Sequence, residues 1–313
     1  MKGARVDHPL RDWRDMNIVE ARATDMERGL RQGRAGMVPS LFVALGFLLG
    51  APAEALSAAI TIAGNGPELR MVERLTQAFE KQHLGAVAEI RWDPSFQPTQ
   101  MVKSGEADFA VTGQTDPDLI ATPIAWDGIA VVVDFANPLR EITSLQLAAM
   151  FSGVVTRWSD VGGIDTRIEL IARPSNQHIR GTFETILEIV GKIPPSAHVS
   201  RSDQRAISSV AGNGSAVTYV SLGVALDAVA YGVGVALLNV DQVEPAKQSV
   251  SDGRYRLRRP ILLLRRSEAN STAASFVDFA LSKAAKDIIE EMFVSYTGSD
   301  NEPQPVHSSM SMK

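Results

Sequence analysis

The chain has 313 residues, 45% hydrophobic and 21% charged, an ordinary globular balance with enough length for two separate cores. It contains no cysteine, which excludes disulfides, thiolate metal sites, a cysteine nucleophile and a lipid-modified cysteine. A formal net charge of −5 argues against a nucleic-acid partner, yet a mildly acidic chain can still hold a small anion through backbone amides and an arginine.

From the N-terminus, Arg28, Arg31 and Arg34 precede the apolar run Met37 to Gly50, and small residues follow through Ala59. This is the layout of a secretory signal peptide, placed at 37–59, with cleavage after Ala55 or Ala59. The run is shorter than the ~18 residues of a spanning helix, so an uncleaved membrane anchor is the second reading. Residues 1–36 form an N-terminal extension of doubtful start. Met26 offers a more normal start, and a misplaced start and a genuine disordered cytoplasmic extension both stay open.

Ile60 to Gly64 reads as a strand that turns at Asn65-Gly66-Pro67 into a helix with apolar positions Leu69, Val72, Leu75 and Phe79. Such a turn presents free N–H groups to an anion, and Glu68 would compete with that anion if it pointed inward. Ala86 to Trp92 is a second strand, followed by the loop Asp93 to Pro98 and the helix Thr99 to Ser104. Phe109 to Thr112 is a third strand, ending in the loop Gly113 to Pro117. Strands alternating with helices gather their loops at the strands' C-terminal ends, where ligands of open α/β sheets bind.

The β-branched run Ile124 to Val133, bounded by Pro123 and by Asn137-Pro138, predicts a buried strand. Ser144 to Phe151 predicts a short amphipathic helix, Trp158 to Gly163 a turn, and Ile168 to Ala172 a strand that Arg173 ends. The loop Pro174 to His178 then opens a helix with apolar face Ile179, Phe183, Ile186, Leu187 and Val190. Further on, Ala206 to Val210 is helical, and Ala216 to Val220, Val233 to Leu238 and Ile261 to Leu264 are strands. Ser275 to Phe293 reads as one closing helix and 298–313 as a disordered tail.

In this order the segments resemble the phosphate-binding proteins of bacterial ABC importers, a PstS-like subgroup of the two-lobed periplasmic solute-binding proteins. The resemblance is carried by Asp127 to Val133, Asn137-Pro138, Leu145 to Trp158 with Val161-Gly162-Gly163, and Arg173 before Thr182-Phe183-Glu184. Tyr219 to Gly223 and Gly253 to Pro260 continue it, over roughly Ile60 to Tyr296. It implies an α/β, type II periplasmic binding protein fold, two hinged lobes with a mixed sheet flanked by helices in each. Lobe one would comprise 60–131 plus 225–297, and lobe two 132–224. The function implied is capture of phosphate or a related small oxyanion between the lobes for an ABC permease, by a periplasmic monomer. The second reading is a diverged receptor or partner-binding module for another small ligand.

Carried over position by position, the resemblance makes Arg173 the anion's arginine, whose planar fork grips an oxyanion in two places. The remaining ligand positions fall on Asn65, Gly66, Ser95, Thr112, Gly113, Gln114, Gln177 and His178. Amides stand where the family has hydroxyls, and amide N–H groups can donate in their place. On the bland readings, His178 is a surface residue at a helix start, with a ligand or pH-sensing role as its alternative, Trp158 and Phe151 are core, and Asp127 caps or pairs near the hinge. Arg254, Arg256, Arg258 and Arg259 read as a solvated face, with strand alternation leaving an interface open. No Gly-x-Ser-x-Gly elbow, His-Glu-x-x-His or P-loop lysine is present, so no enzyme, cofactor or metal is expected.

Overall fold

The computed structural model describes residues 59–268, 270–296 and 298; the N-terminal extension, signal peptide, cleavage site and the tail beyond 298 lie outside the described residues. The first half of the sheet is built from β1 (Ala59–Gly64), β2 (Val87–Trp92) and β3 (Phe109–Thr112), all parallel. Between them run α1 (Leu69–Gln82) and α2 (Pro98–Ser104). Met71, Val72, Leu75 and Phe79 recur on one stripe of α1 and are buried, because a helix laid on a sheet must hide that stripe. They join Ile60, Ile62, Phe109 and Ile261 in the core of this half.

β4 (Ile120–Asp134) is longer than its apolar run predicts and serves both halves. Its residues 120–128 pair antiparallel with β11 (Arg258–Arg265), and from Ile129 onward it pairs antiparallel with β8 (Ala216–Ser221). The exchange of partners takes one step, from Gly128 opposite Arg258 to Ile129 opposite Ser221. A second stretch of chain, leading into β11, crosses beside it, since the Ile129 amide donates to Leu257 O at 2.6 Å and the Tyr255 hydroxyl donates to Ile129 O at 3.0 Å. Two adjacent crossings are the geometry of a hinge.

The second half adds β6 (Glu169–Ala172) and β7 (His198–Val199), parallel to each other, with β6 parallel to β8. β9 (Val235–Leu237) lies antiparallel on residues 132–134 of β4, while β5 (Glu141–Ile142) and β10 (Asn239–Val240) form a separate parallel pair. The helices here are α3 (Ser144–Phe151), α4 (His178–Ile186), α5 (Asp203–Val210) and α6 (Leu222–Ala230). α3 has the predicted bounds, and a reciprocal capping box between Thr143 and Gln146 fixes its start. Trp158 and Phe151 are buried, as expected.

Three sequence expectations need correction. α4 ends at Ile186, and Val190 is exposed rather than part of its apolar face, because Glu188 takes a positive φ of 58° that ends the helix. The closing helix is two, α8 (Ser271–Ala280) and α9 (Lys283–Ile289), because Ser282 caps the second by accepting from the Ala285 amide. α6 and the short α7 (Lys247–Ser251) are helices that the apolar spacing does not announce.

α6 also sets a prediction. A Cβ at Gly223 would sit 2.3 Å from the Met292 carbonyl oxygen, which is backbone and cannot swing away. Alanine there gains roughly 1 kcal/mol of helix propensity but forces a backbone shift costing about 1–3 kcal/mol. Gly223→Ala is therefore expected to lower the urea midpoint without changing the slope.

Candidate functional site

Parallel strands deliver their C-terminal loops to one edge, so the turns after β1, β2 and β3 meet the Arg173 loop after β6. Gly64 allows this at the first turn: its missing Cβ is replaced by the Trp92 ring, 2.2 Å from where that Cβ would stand. The same indole donates from Nε1 to Gly66 O at 2.9 Å and pins the turn.

The loops of the two halves are joined by side chains. Asn65 Nδ2 donates to Phe96 O and to Asn176 O, both at 3.0 Å, and Asn176 Nδ2 donates back to Pro94 O at 2.7 Å. Gln177 Nε2 donates to Asn65 O at 2.8 Å, while Gln177 Oε1 accepts from Arg173 Nε at 3.1 Å. Arg173 is 1% exposed, and its Nη2 donates to Arg201 O. Phe183 stacks on Tyr219 with ring centroids 3.9 Å apart, and Phe151 packs edge-on to both. Tyr219 further accepts from the Arg173 amide.

The counter-charge of Arg173 is Asp203, the first residue of α5, at 3.3 Å from Nη1 and itself buried. Asp203 Oδ2 accepts from the Ser221 amide, but Asp203 Oδ1, Arg173 Nη1 and Asn65 Oδ1 are buried with no hydrogen bond. Buried polar atoms are rarely left so. Sequence alone does not mark Asp203, because a helix-start aspartate after Ser202 reads as a cap.

Thr112 and Gly113 line the same edge, Thr112 Oγ1 accepting from the Gln114 amide. Gln114 is exposed and lies against Gly181 of α4. Ser95 stands apart, exposed, with its hydroxyl bonded to Asp93 of its own loop.

The largest departure from the sequence reading is Arg259, expected on a solvated face and found 0% exposed. β11 runs antiparallel to β3, so its beginning lies where β3 ends, and Arg259 enters the site from there. Its Nη2 donates to Glu68 Oε1 at 2.6 Å and to Asp127 Oδ2 at 2.7 Å, and its Nη1 donates to His178 Nδ1 at 2.7 Å. Ser221 Oγ donates to Asp127 Oδ1 at 3.0 Å. His178 is buried rather than on the surface, with Nε2 3.3 Å from Glu68 Oε2. Glu68 does point inward.

Charge matching tunes this group. Burial alone would raise the Glu68 carboxyl, but Arg259 and His178 outweigh it and hold it at about 2. Its stabilising share is therefore full above the ordinary 4.5 and lost as pH falls toward 2. Asp127 goes the other way, pushed up to about 7 by burial and by Glu68, against the pull of Arg259. Its share is full below the ordinary 3.8 and lost as pH rises toward 7. Burial holds His178 below its ordinary value, Glu68 opposing and Arg259 assisting. Among the described residues no cluster of His, Cys, Asp and Glu fits a metal ion, and no helix is long and apolar enough to cross a membrane.

Two sheet halves on a shared strand, with converging loops and a buried arginine between them, define a periplasmic-binding-protein class of molecule. Residues 50–284 match the family model described as the PBP superfamily domain, and the chain belongs to that family. It is similar to phosphate-binding protein PstS of Bacillus subtilis, 22% identical over 238 residues covering 74% of this chain and 77% of that one. PstS of Borreliella burgdorferi is 23% identical over 181 residues, 54% of this chain; the match spans 63% of that relative, under two thirds of its length. Among solved structures, an ABC-type phosphate transport receptor from Vibrio cholerae superposes with a TM-score of 0.66 at 27% identity, covering 75% of this chain and 99% of that one.

Proposed function

We propose that the protein is an extracytoplasmic receptor that captures phosphate or a related small oxyanion between its halves for an ABC importer. The observation that carries the reading is that Arg173 Nη1 and Asp203 Oδ1 face each other at 3.3 Å as a buried ion pair without a hydrogen bond, and that Asn65 Oδ1, joined to Arg173 through Gln177, has none either. Arg173 Nη1 offers a donor, and Asn65 Oδ1 and Asp203 Oδ1 offer acceptors. A partly protonated oxyanion presents the complement, charged oxygens and an O–H. The N-terminus of α4 adds N–H groups and a positive dipole end beside them. The relatives' names and the Vibrio cholerae receptor support the same ligand class.

On this reading the protein works as a monomeric binding component of a transporter, without catalysis, reached by export through the segment at 37–59. Its permease would recognise the closed form, which a ligand touching both halves stabilises further. The first crossing falls at Gly128 to Ile129. β9 and β10 pair on the second half, which draws the return crossing toward Tyr255 to Arg258.

Phosphate at 100 times its Kd is expected to add about 2.7 kcal/mol of stability, seen as a rise in melting temperature. Sulfate, which has no O–H at neutral pH, leaves both acceptors unsatisfied and is expected to be silent. Silence for phosphate with a response to amino acids or sugars would overturn the assignment. That outcome would select the second reading, a diverged receptor for another small ligand, which the amides of Asn65, Gln114 and Gln177 favour.

A further inference from the structure

We propose that His178 is a proton-released latch between the two halves of the molecule, an inference that holds whatever guest the site takes. The ring belongs to the first residue of α4 in the second half, yet it is seated among groups of the first. A Cβ at Gly66 would come within 2.6 Å of His178 Nε2, and one at Gly113 within 3.0 Å of His178 Nδ1. Two loops of the first half therefore clasp the imidazole, and glycine at both positions makes the room.

The hydrogen bonds fix the tautomer. A guanidinium only donates, so the 2.7 Å contact from Arg259 Nη1 requires a lone pair on His178 Nδ1. The ring's single proton is then on Nε2, facing Glu68 Oε2 at 3.3 Å. The neutral ring thus accepts from a first-half cation and donates to a first-half anion. A second proton can enter only at Nδ1, where it would set N–H against N–H.

The charged groups around the ring are Glu68 on the α1 side, Arg259 from β11, Asp203 from α5 and, beyond Arg259, Asp127 on β4. Glu68 and Asp203 favour an imidazolium, but burial and Arg259 oppose it, and the ring's affinity for protons is lowered in the seated position. Withdrawn into water, the ring regains its ordinary 6.5. Sign and window follow: the latch is at full strength above 6.5 and weakens below it, by up to tenfold in the seated-to-released ratio per pH unit. Asp127 and Ser221 lie at the crossing itself, where β4 and β8 stay paired, so their contact survives a hinge motion.

The test measures the separation of the halves without added anion. No native thiol is present, so Lys81→Cys on α1 and Ser159→Cys in the 158–161 turn, both exposed, take two spin labels or dyes uniquely. The parent is expected to show a short, narrow distance distribution at pH 8 and a longer one at pH 5, reversibly. His178→Gln keeps a carbonyl for Arg259 and an N–H for Glu68 but does not titrate, and is expected to stay short at both. Asp127 remains in both proteins, so its titration cancels. An unchanged parent distribution, or a Gln variant that opens as the parent does, overturns the latch. If the variant fails to fold, imidazole nitrogen resonances of the parent decide. An unprotonated Nδ1 at pH 8 that gains its proton as the halves separate supports the latch, and an Nδ1–H tautomer at pH 8 overturns it.

Discussion

Replacing Arg259 with alanine is expected to destabilise the fold by about 3–5 kcal/mol at neutral pH, the cost of breaking a buried ion cluster by removing one partner. Glu68 and Asp127 would be left facing each other, both fully buried, with no counter-charge. Glu68 would then rise above its ordinary value and Asp127, already above its own, would rise further, so the loss is expected to grow as pH rises through the carboxylate range and to shrink in acid. Replacing all three with apolar residues of similar volume, Glu68→Met, Asp127→Leu and Arg259→Met, is expected to recover most of the loss, since desolvating three charges offsets much of their attraction. Urea midpoints at pH 5 and pH 8 measure both effects. A loss below 1 kcal/mol at pH 8 would mean that Arg259 is not the buried hub described.

The same arginine shows how far the chain could be read unaided. In Gly253 to Pro260 four arginines crowd into six positions, which averages to a solvated face. Taken at period two, however, Tyr255, Leu257 and Arg259 share one side, and all three are 0% exposed. The alternation was in the residues; what hid it was charge, because an arginine on the apolar parity is legible only if its acidic partners are known. Those partners lie 132 and 191 residues away, at Asp127 and Glu68. Glu68 follows Pro67 at a helix start, and nothing local says that it turns inward.

Elements with a strong local signature were legible. Ser144 to Phe151 is opened by a capping box between Thr143 and Gln146, and the apolar run at 124–133 could only be a buried strand. The break at Ser282 was not, because the apolar spacing continues in phase across it from Phe279 to Ile289. α6 was hidden differently: Leu222 to Ala230 is apolar but for Asp227 and Gly223, and a helix so nearly uniform lacks the amphipathic period that would announce it. For the site, Arg173 was reachable through its place before a helix, whereas Asp203 and the clasp on His178 depend on contacts across the fold.

The second large effect is expected at Arg173, where structure and binding have to be separated. Arg173→Ala should weaken phosphate binding by roughly 10- to 100-fold, the worth of one charged hydrogen bond at about 1.5–3 kcal/mol. It should also destabilise the protein by about 3–5 kcal/mol, because Asp203 is left buried and unpaired. Lysine should not restore the affinity, since its point charge cannot reproduce the fork that spans Gln177, Arg201 and Asp203. The double variant Arg173→Gln with Asp203→Asn removes both charges together, and is expected to regain most of the stability while phosphate stays weak. If Arg173 were only a strut for Asp203, the double variant would recover affinity along with stability. Titration calorimetry beside urea denaturation on the same three proteins separates the two roles, because a strut moves both quantities together and an anion ligand moves them apart.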